Sequence, residues 1–312
     1  MENFIVSVSC VTPIFLLIML GYYTRANHVV PKETFDNISK ICFNVLLPLM
    51  MFNNVYSADI SVAFSPPLIL YLIAETIIVF LIAFFLVRHT IRDTRAQGIY
   101  IQNAFRSNIA VIGISLAQIL MDENGVASMT MAITVLVPLF NALSVIALEI
   151  CRGQQVKIRE TVRNILKNPL ILGALLGGIA LFFGLRIPFS VRSAIKDAGK
   201  AGSVMTLLAL GASFRFIGLK KNGKRLLCCV FMRLMLVPAL VLGAAVAIGM
   251  RGNNLAVIMI CTGSPLATTT YPMALVYESD YELAGSQVVV SSILCCFTMM
   301  ATIFLLKEMA LL

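Results

Sequence analysis

The chain has 312 residues, of which 59% are hydrophobic and 12% charged, with a formal net charge of +9. Soluble domains carry about 25% charged residues, so this composition, with a mean hydropathy of +0.93, argues against a water-soluble enzyme and a disordered chain. It argues equally against a nucleic-acid binder, because the positive charge is sparse and sits in loops, and leaves a polytopic helical membrane protein.

Stretches without Asp, Glu, Lys or Arg run over 3–24, 41–58, 124–148, 168–185, 252–277 and 283–306. Each is about as long as a helix that crosses a bilayer. Shorter apolar runs flank single charges at Glu75, Arg106 and Arg233. Together they predict ten spans at 4–24, 37–55, 66–87, 97–120, 125–149, 169–185, 199–217, 225–249, 254–276 and 283–306. The first stretch follows Glu2, has no basic flank and is too long for a cleavable signal, so it reads as the first span.

If the N-terminus lies outside, the inside loops hold Arg25, Lys32 and Lys40, then Arg88, Arg92 and Arg95, then the basic run from Arg152 to Lys167, and finally Arg215, Lys220, Lys221, Lys224 and Arg225. That is most of the 24 Lys and Arg residues, and the positive-inside rule then places both termini outside. The eight Cys residues read as buried thiols: Cys10, Cys42, Cys228, Cys229, Cys261, Cys295 and Cys296 fall in apolar spans and Cys151 beside a basic loop. With no CxxC pair and only His28 and His89, both in loops, no metal is called for. The Met and Phe residues read as lipid contact and packing, and no cofactor is implied.

Two halves echo each other across the basic stretch 151–168. Span 1 reads Pro13, Gly21, Pro31 and span 6 reads Pro169, Gly184, Pro188. Five spans per half make the second half enter the membrane from the opposite side, as in the inverted repeats of many secondary transporters. The predicted organisation is a first repeat over 1–150, a basic linker over 151–168 and a second repeat over 169–312. Such folds hold their substrate where two helices break near the midplane, because freed backbone groups are tolerated only beside a cavity. Candidate breaks are Arg106-Ser107-Asn108-Ile109 before Gly113 in span 4, and Gly263 through Pro265 to Pro272 in span 9. The second holds two Pro residues with Ser264, Thr268, Thr269 and Thr270 between Gly263 and Pro272, poor material for an ordinary lipid-facing helix. A simple Pro kink is the alternative. Half-helix N-termini would favour an anionic substrate group such as a carboxylate.

Three charges fall within the spans. Glu75 in span 3 reads either as a proton-coupling site or as a structural partner of an Arg or backbone group. Arg106 stands at the span 4 break, where contact with a carboxylate, pairing with Glu75 and snorkelling are all open. For Arg233 in span 8 the expectation is snorkelling. Gln102, Asn103, Asn108 and Gln118 add polarity to span 4, and Asn44, Asn53 and Asn54 to span 2. Polar residues also join helices to one another, so Asn108 stands out for its place at the break, with Asn103 nearby.

These residues, taken in order, resemble the auxin efflux carrier family, including its bacterial organic-acid and malate permeases, along nearly the whole chain. The resemblance is carried by Val45-Leu-Leu-Pro48-Leu-Met-Met-Phe52, Asn168-Pro169, Asp197-Ala-Gly199 with Leu210-Gly211, and Arg233 with Pro238. Asn108-Ile-Ala-Val-Ile-Gly113 and the series Pro265, Ala274, Tyr277, Asp280 complete it. It implies an all-α fold of ten spans in a 5+5 inverted repeat, with broken, crossing spans 4 and 9, as in bile-acid symporters. It also implies a scaffold of spans 1, 2, 6 and 7 that dimerises and a transport domain of spans 3–5 and 8–10 that moves as an elevator. The family's crossover Asn carries over to Asn108, which would cap a half helix and donate to the substrate carboxylate. Two positions depart from the family: plant members have Pro where Ser107 stands, and many bacterial members have Asn where Thr269 stands. The central loop, about 18 residues, lacks the long hydrophilic insertion of many plant carriers. Related sodium-coupled bile-acid carriers bind sodium with acidic and amide side chains near the crossing, and spans 4 and 9 here contain no Asp or Glu, which disfavours sodium and leaves proton coupling or uniport open.

The expected function is therefore secondary transport of a small organic anion across the plasma membrane, not catalysis. The expected partners are a small organic acid, the bilayer and a second copy of the chain. Substrate contacts are expected from Arg106, Ser107, Asn108, Asn103, Pro265, Thr268, Thr269 and Thr270. A non-transporting sensor or subunit on the same fold is the alternative. An intramembrane enzyme would need a nucleophile–base pair or paired carboxylates in the spans, and the sequence offers neither GxSxG nor paired Asp.

Overall fold

The computed structural model describes residues 2–57, 65–152, 158–213 and 223–312. Among them every regular element is helical, and the β pairing is a single bridge, Ser107 with Leu266. The helices are α1 (Glu2–Ala26), α2 (Lys32–Ile41), α3 (Leu47–Tyr56), α4 (Pro66–Thr90), α5 (Thr94–Phe105), α6 (Ile109–Leu120), α7 (Glu123–Arg152), α8 (Ile158–Lys167), α9 (Pro169–Phe182), α10 (Phe189–Ser213), α11 (Gly223–Phe231), α12 (Val237–Ala247), α13 (Gly252–Gly263), α14 (Thr270–Val276) and α15 (Tyr281–Glu308). Five continuous helical stretches among the described residues are long and apolar enough to cross a membrane: Glu33–Tyr56, Pro66–Thr90, Glu123–Arg152, Gly223–Ala247 and Tyr281–Glu308.

Two of these stretches contain a widened π turn. Cys42–Leu46 joins α2 to α3, and Met232–Leu236 joins α11 to α12. Each is followed by Pro at the second position of the next helix, Pro48 and Pro238. Proline has no N–H and its ring presses on the preceding turn; a π turn absorbs the mismatch without ending the helix.

The sequence misplaced two boundaries. Span 7 was expected from 199, whereas α10 begins at Phe189, because Arg192, Lys196 and Lys200 resemble a loop when their surroundings are unknown. The linker 151–168 contains α8, whose apolar Val162, Ile165 and Leu166 alternate with basic residues on a helical period. Spans 4 and 9 are each two helices, broken at the segments expected from the sequence. The expected end of span 7 at 217, and Lys157, Arg215, Lys220 and Lys221, lie outside the described residues.

Helices packed in lipid gain little from hydrophobicity alone, so close approach at small residues holds them together. α1 lies along α10 and α3 along α9, and α10 also packs on α3. A side chain at Gly21 would put its Cβ 2.0 Å from the Leu208 carbonyl oxygen of α10, and one at Gly211 would put it 1.9 Å from the Ile18 carbonyl oxygen of α1. In the remaining helices, α4 packs on α5, both α5 and α6 on α7, α12 on α13, α14 on α15, and α13 on α6 and α7. Leu70, Ile78, Ile82, Phe85 and Leu86 leave α4 with an exposed apolar face suited to lipid.

Gly211→Val is expected to push α1 from α10 at a cost of about 2 kcal/mol or more and to lower the thermal midpoint in detergent. Gly243→Ala, with nothing within 4 Å of the new Cβ, is expected to leave that midpoint unchanged or slightly raised. Equal midpoints for both variants would show that the glycine contact does not hold the two helices together.

Candidate functional site

The helix breaks lie side by side. α5 ends at Phe105 and α6 starts at Ile109; α13 ends at Gly263 and α14 starts at Thr270. The two linking segments pair with each other: Ser107 and Leu266 form the antiparallel bridge, and the Asn108 N–H donates to the Pro265 carbonyl at 2.9 Å. The Leu266 N–H is taken up by Ser291 Oγ of α15 at 3.2 Å. Backbone freed by the breaks is thus satisfied within the protein, as an apolar interior demands.

Arg233 secures the other ends. It is 1% exposed, which corrects the expectation that it snorkels. Its Nε and Nη2 donate to the Ser264 carbonyl at 3.0 and 2.8 Å, and its Nη1 donates to the Ala104 carbonyl at 3.2 Å. One guanidinium therefore joins the C-terminal ends of α5 and α13, where aligned peptide dipoles place partial negative charge. The π turn presents it there. The tertiary partners lie on two other spans, which is why position within span 8 alone misled.

Glu75, on α4, accepts a hydrogen bond from Thr76 Oγ1 at 3.2 Å. It takes part in no ion pair among the described residues. It is not among the residues that line the cavity described next.

A cavity of about 550 Å³ opens beside the crossing. One wall comprises Arg106, Ser107, Asn108, Phe140 and Asn141 with Ala267, Thr268 and Thr269. The facing wall comes from α3, α9 and α10, with Met50, Met51, Asn53, Asn54, Leu170, Lys196, Lys200 and Ser203. No Asp or Glu is among its lining residues. Arg106 is 2% exposed, which removes snorkelling. Its Nη1 donates to Gln102 Oε1 at 3.0 Å and meets Met273 Sδ at 2.6 Å; its Nη2 donates to Asn141 Oδ1 at 2.7 Å and Thr269 Oγ1 at 2.5 Å. All four partners are neutral, and the expected alternative of pairing with Glu75 does not occur: the ion pair found among the described residues is Arg152–Glu278.

Asn108 occupies the N-cap position of α6, but its side chain makes no capping bond, against expectation. Its own carbonyl accepts from Val111 and Ile112 instead. The amide Nδ2 of Asn108 and the hydroxyl of Ser107 are buried without a partner. A buried donor left unpaired is costly unless a ligand takes it up.

The structure therefore brings Arg106, Ser107, Asn108, Thr268 and Thr269 onto one cavity, with the Pro265 carbonyl engaged in the crossing. It does not bring Asn103 or Thr270 there. Asn103 is fully buried and donates to the Cys229 carbonyl at 2.7 Å, because the face of α5 that carries it meets α11. Thr270 is the first residue of α14 and is fully buried away from the cavity lining. Sequence reasoning missed Asn141, which orients Arg106 and also donates to Met51 Sδ at 2.9 Å. An amide in the middle of a 30-residue apolar helix was the available signal.

A family model described as "Membrane transport protein" matches residues 6–303. The chain belongs to this family, the auxin efflux carriers. Its relatives include an "Uncharacterized transporter" of Methanothermobacter thermautotrophicus, 22% identical and aligned over 93% of this chain and 95% of the relative. A "Putative malonate transporter" of Rhizobium meliloti is 23% identical over 96% of both chains. The structure of the sodium proton antiporter MjNhaP1 from Methanocaldococcus jannaschii is similar, with a TM-score of 0.66, 12% identity, and coverage of 96% of this chain and 97% of that one. That likeness concerns the fold. Family and apolar helices together make the chain an integral membrane protein.

Arg233→Gln is expected to strand the Ala104 and Ser264 carbonyls, at about 1–3 kcal/mol each, and to lower the thermal midpoint sharply, with Arg233→Lys intermediate. A glutamine variant as stable as the parent would remove Arg233 from its role at the crossing.

Proposed function

We propose that this carrier moves a small organic anion across the plasma membrane by alternating access, with its carboxylate held at Arg106, Ser107 and Asn108. The observation that carries the reading is the buried Arg106, without an acidic partner, on a cavity where Asn108 and Ser107 hold unsatisfied polar groups. A carboxylate supplies the missing charge and acceptors together. A cation is disfavoured there, since among the described residues no carboxylate lines the cavity to replace its hydration shell. The name of the Rhizobium relative makes malonate the first acid to try.

The helix contacts support the ten-span inverted repeat, with repeats over 1–150 and 169–312. Exchanging the halves turns the pairing of spans 1 and 7 into that of spans 6 and 2, the two close packings seen as α1 with α10 and α3 with α9. Spans 1, 2, 6 and 7 then form the scaffold, a homodimer in this reading, and spans 3–5 and 8–10 the moving unit. The cavity lies between the two sets, as an elevator-like motion requires. The distribution of basic loops supports both termini outside. Glu75, which is not among the residues lining the cavity, is the proton-coupling residue in this reading.

Purified protein in liposomes is expected to take up labelled malonate or another small carboxylate by counterflow. Asn108→Ala and Arg106→Gln are each expected to lower kcat/KM at least about 100-fold, a loss of about 2.7 kcal/mol, while the variants remain folded. Undiminished uptake by either variant would reject the site, and a parent protein inert toward a panel of mono- and dicarboxylates would favour the sensor or subunit reading.

A further inference from the structure

The cavity's second wall carries charge that the carboxylate at Arg106 does not use. Lys196, Lys200, Ser203 and Val204 of α10 all line it, and their spacing places them on one face of the helix. Two glycines fix that face. A Cβ at Gly199 would come 2.9 Å from Met50 Cα, and one at Gly202 would come 2.6 Å from Leu46 Cβ, so α10 seats against α3 and the π turn before it, and its lysine stripe lines the cavity. Both lysines are exposed at the cavity, and neither takes part in an ion pair among the described residues. The acid between them, Asp197, accepts a hydrogen bond from Ser193 at 3.4 Å and is not among the lining residues. A pair of cations a turn apart, without the acid between them, shares with Arg106 the lining of a cavity of about 550 Å³. That is ample for a short acid with some of its water.

Resting on the proposed transport reading, we infer that Lys196 and Lys200 hold the second carboxylate of a dicarboxylate whose first is held at Arg106. They are specificity-determining residues. The buried guanidinium binds any carboxylate; the lysines distinguish a dianion from a monoanion. Because they are exposed, their contribution is modest and screened by salt. Because they stand on α10 and not beside the breaks, they act on binding more than on turnover.

The test is malonate uptake into proteoliposomes by the parent, Lys196→Gln/Lys200→Gln and Lys196→Arg/Lys200→Arg, with unlabelled pyruvate as a singly charged competitor. The glutamine pair is expected to raise the KM for malonate on the order of five-fold with kcat little changed, and to leave the inhibition constant of pyruvate unmoved. The arginine pair is expected to stay near the parent, and raising ionic strength is expected to weaken malonate binding more in the parent than in the glutamine pair. An unchanged malonate KM in the glutamine pair, or equal weakening of malonate and pyruvate, overturns the assignment while leaving the carrier reading intact. A parent that moves no carboxylate rejects both.

Discussion

Everything in this protein follows from the need to end four helix halves inside an apolar interior. A broken helix exposes carbonyls at one end and N–H groups at the other, and no lipid group can satisfy them. The protein treats the two kinds of end differently. The C-terminal ends of α5 and α13 converge on the single guanidinium of Arg233, which bonds the Ala104 and Ser264 carbonyls. The linking segments bond one another through Asn108 and Pro265. At the start of α6 no acidic side chain is supplied; a second guanidinium and an unpaired amide stand there instead. The negative ends are compensated by the protein, and in the proposed reading the positive side is left to an anionic substrate.

In that reading the asymmetry gives the site its sign. The MjNhaP1 antiporter has a similar fold, yet a fold does not choose its cargo; the side chains at the breaks do. Here the cavity offers Arg106, Lys196 and Lys200 with amides and hydroxyls, and no carboxylate among the described residues. Arg106 is fixed by Gln102, Asn141 and Thr269, so its geometry is set before a ligand arrives, which reduces the entropic cost of binding. Asn141 also touches Met51 on the facing wall, so the orientation of Arg106 is linked to the contact between the two helix sets.

The helices were legible in the sequence because membrane spans announce themselves by long intervals without charge, and the breaks because Gly263, Pro265 and a run of hydroxyls are poor helix material. Asn108 and Arg106 were legible for the same local reason. What failed was long-range. Arg233 looked like a side chain reaching for the interface because its partners, Ala104 and Ser264, are far away in sequence. Asn103 was expected to join Asn108 at the site because the side of α5 it occupies is set by a distant partner, the Cys229 carbonyl. The first ten residues of α10 resembled a loop because a helix whose charges face a wet cavity has the composition of one.

The most direct test of an anion site at the crossing is thermal stabilisation of the purified protein, since a ligand that binds the folded state raises its midpoint with concentration. Malonate, set against its uncharged diamide at matched ionic strength, is expected to raise the midpoint saturably in the parent and not in Arg106→Gln, while the diamide does nothing. Equal stabilisation by the diamide, or an undiminished shift in Arg106→Gln, would contradict a site built to receive negative charge.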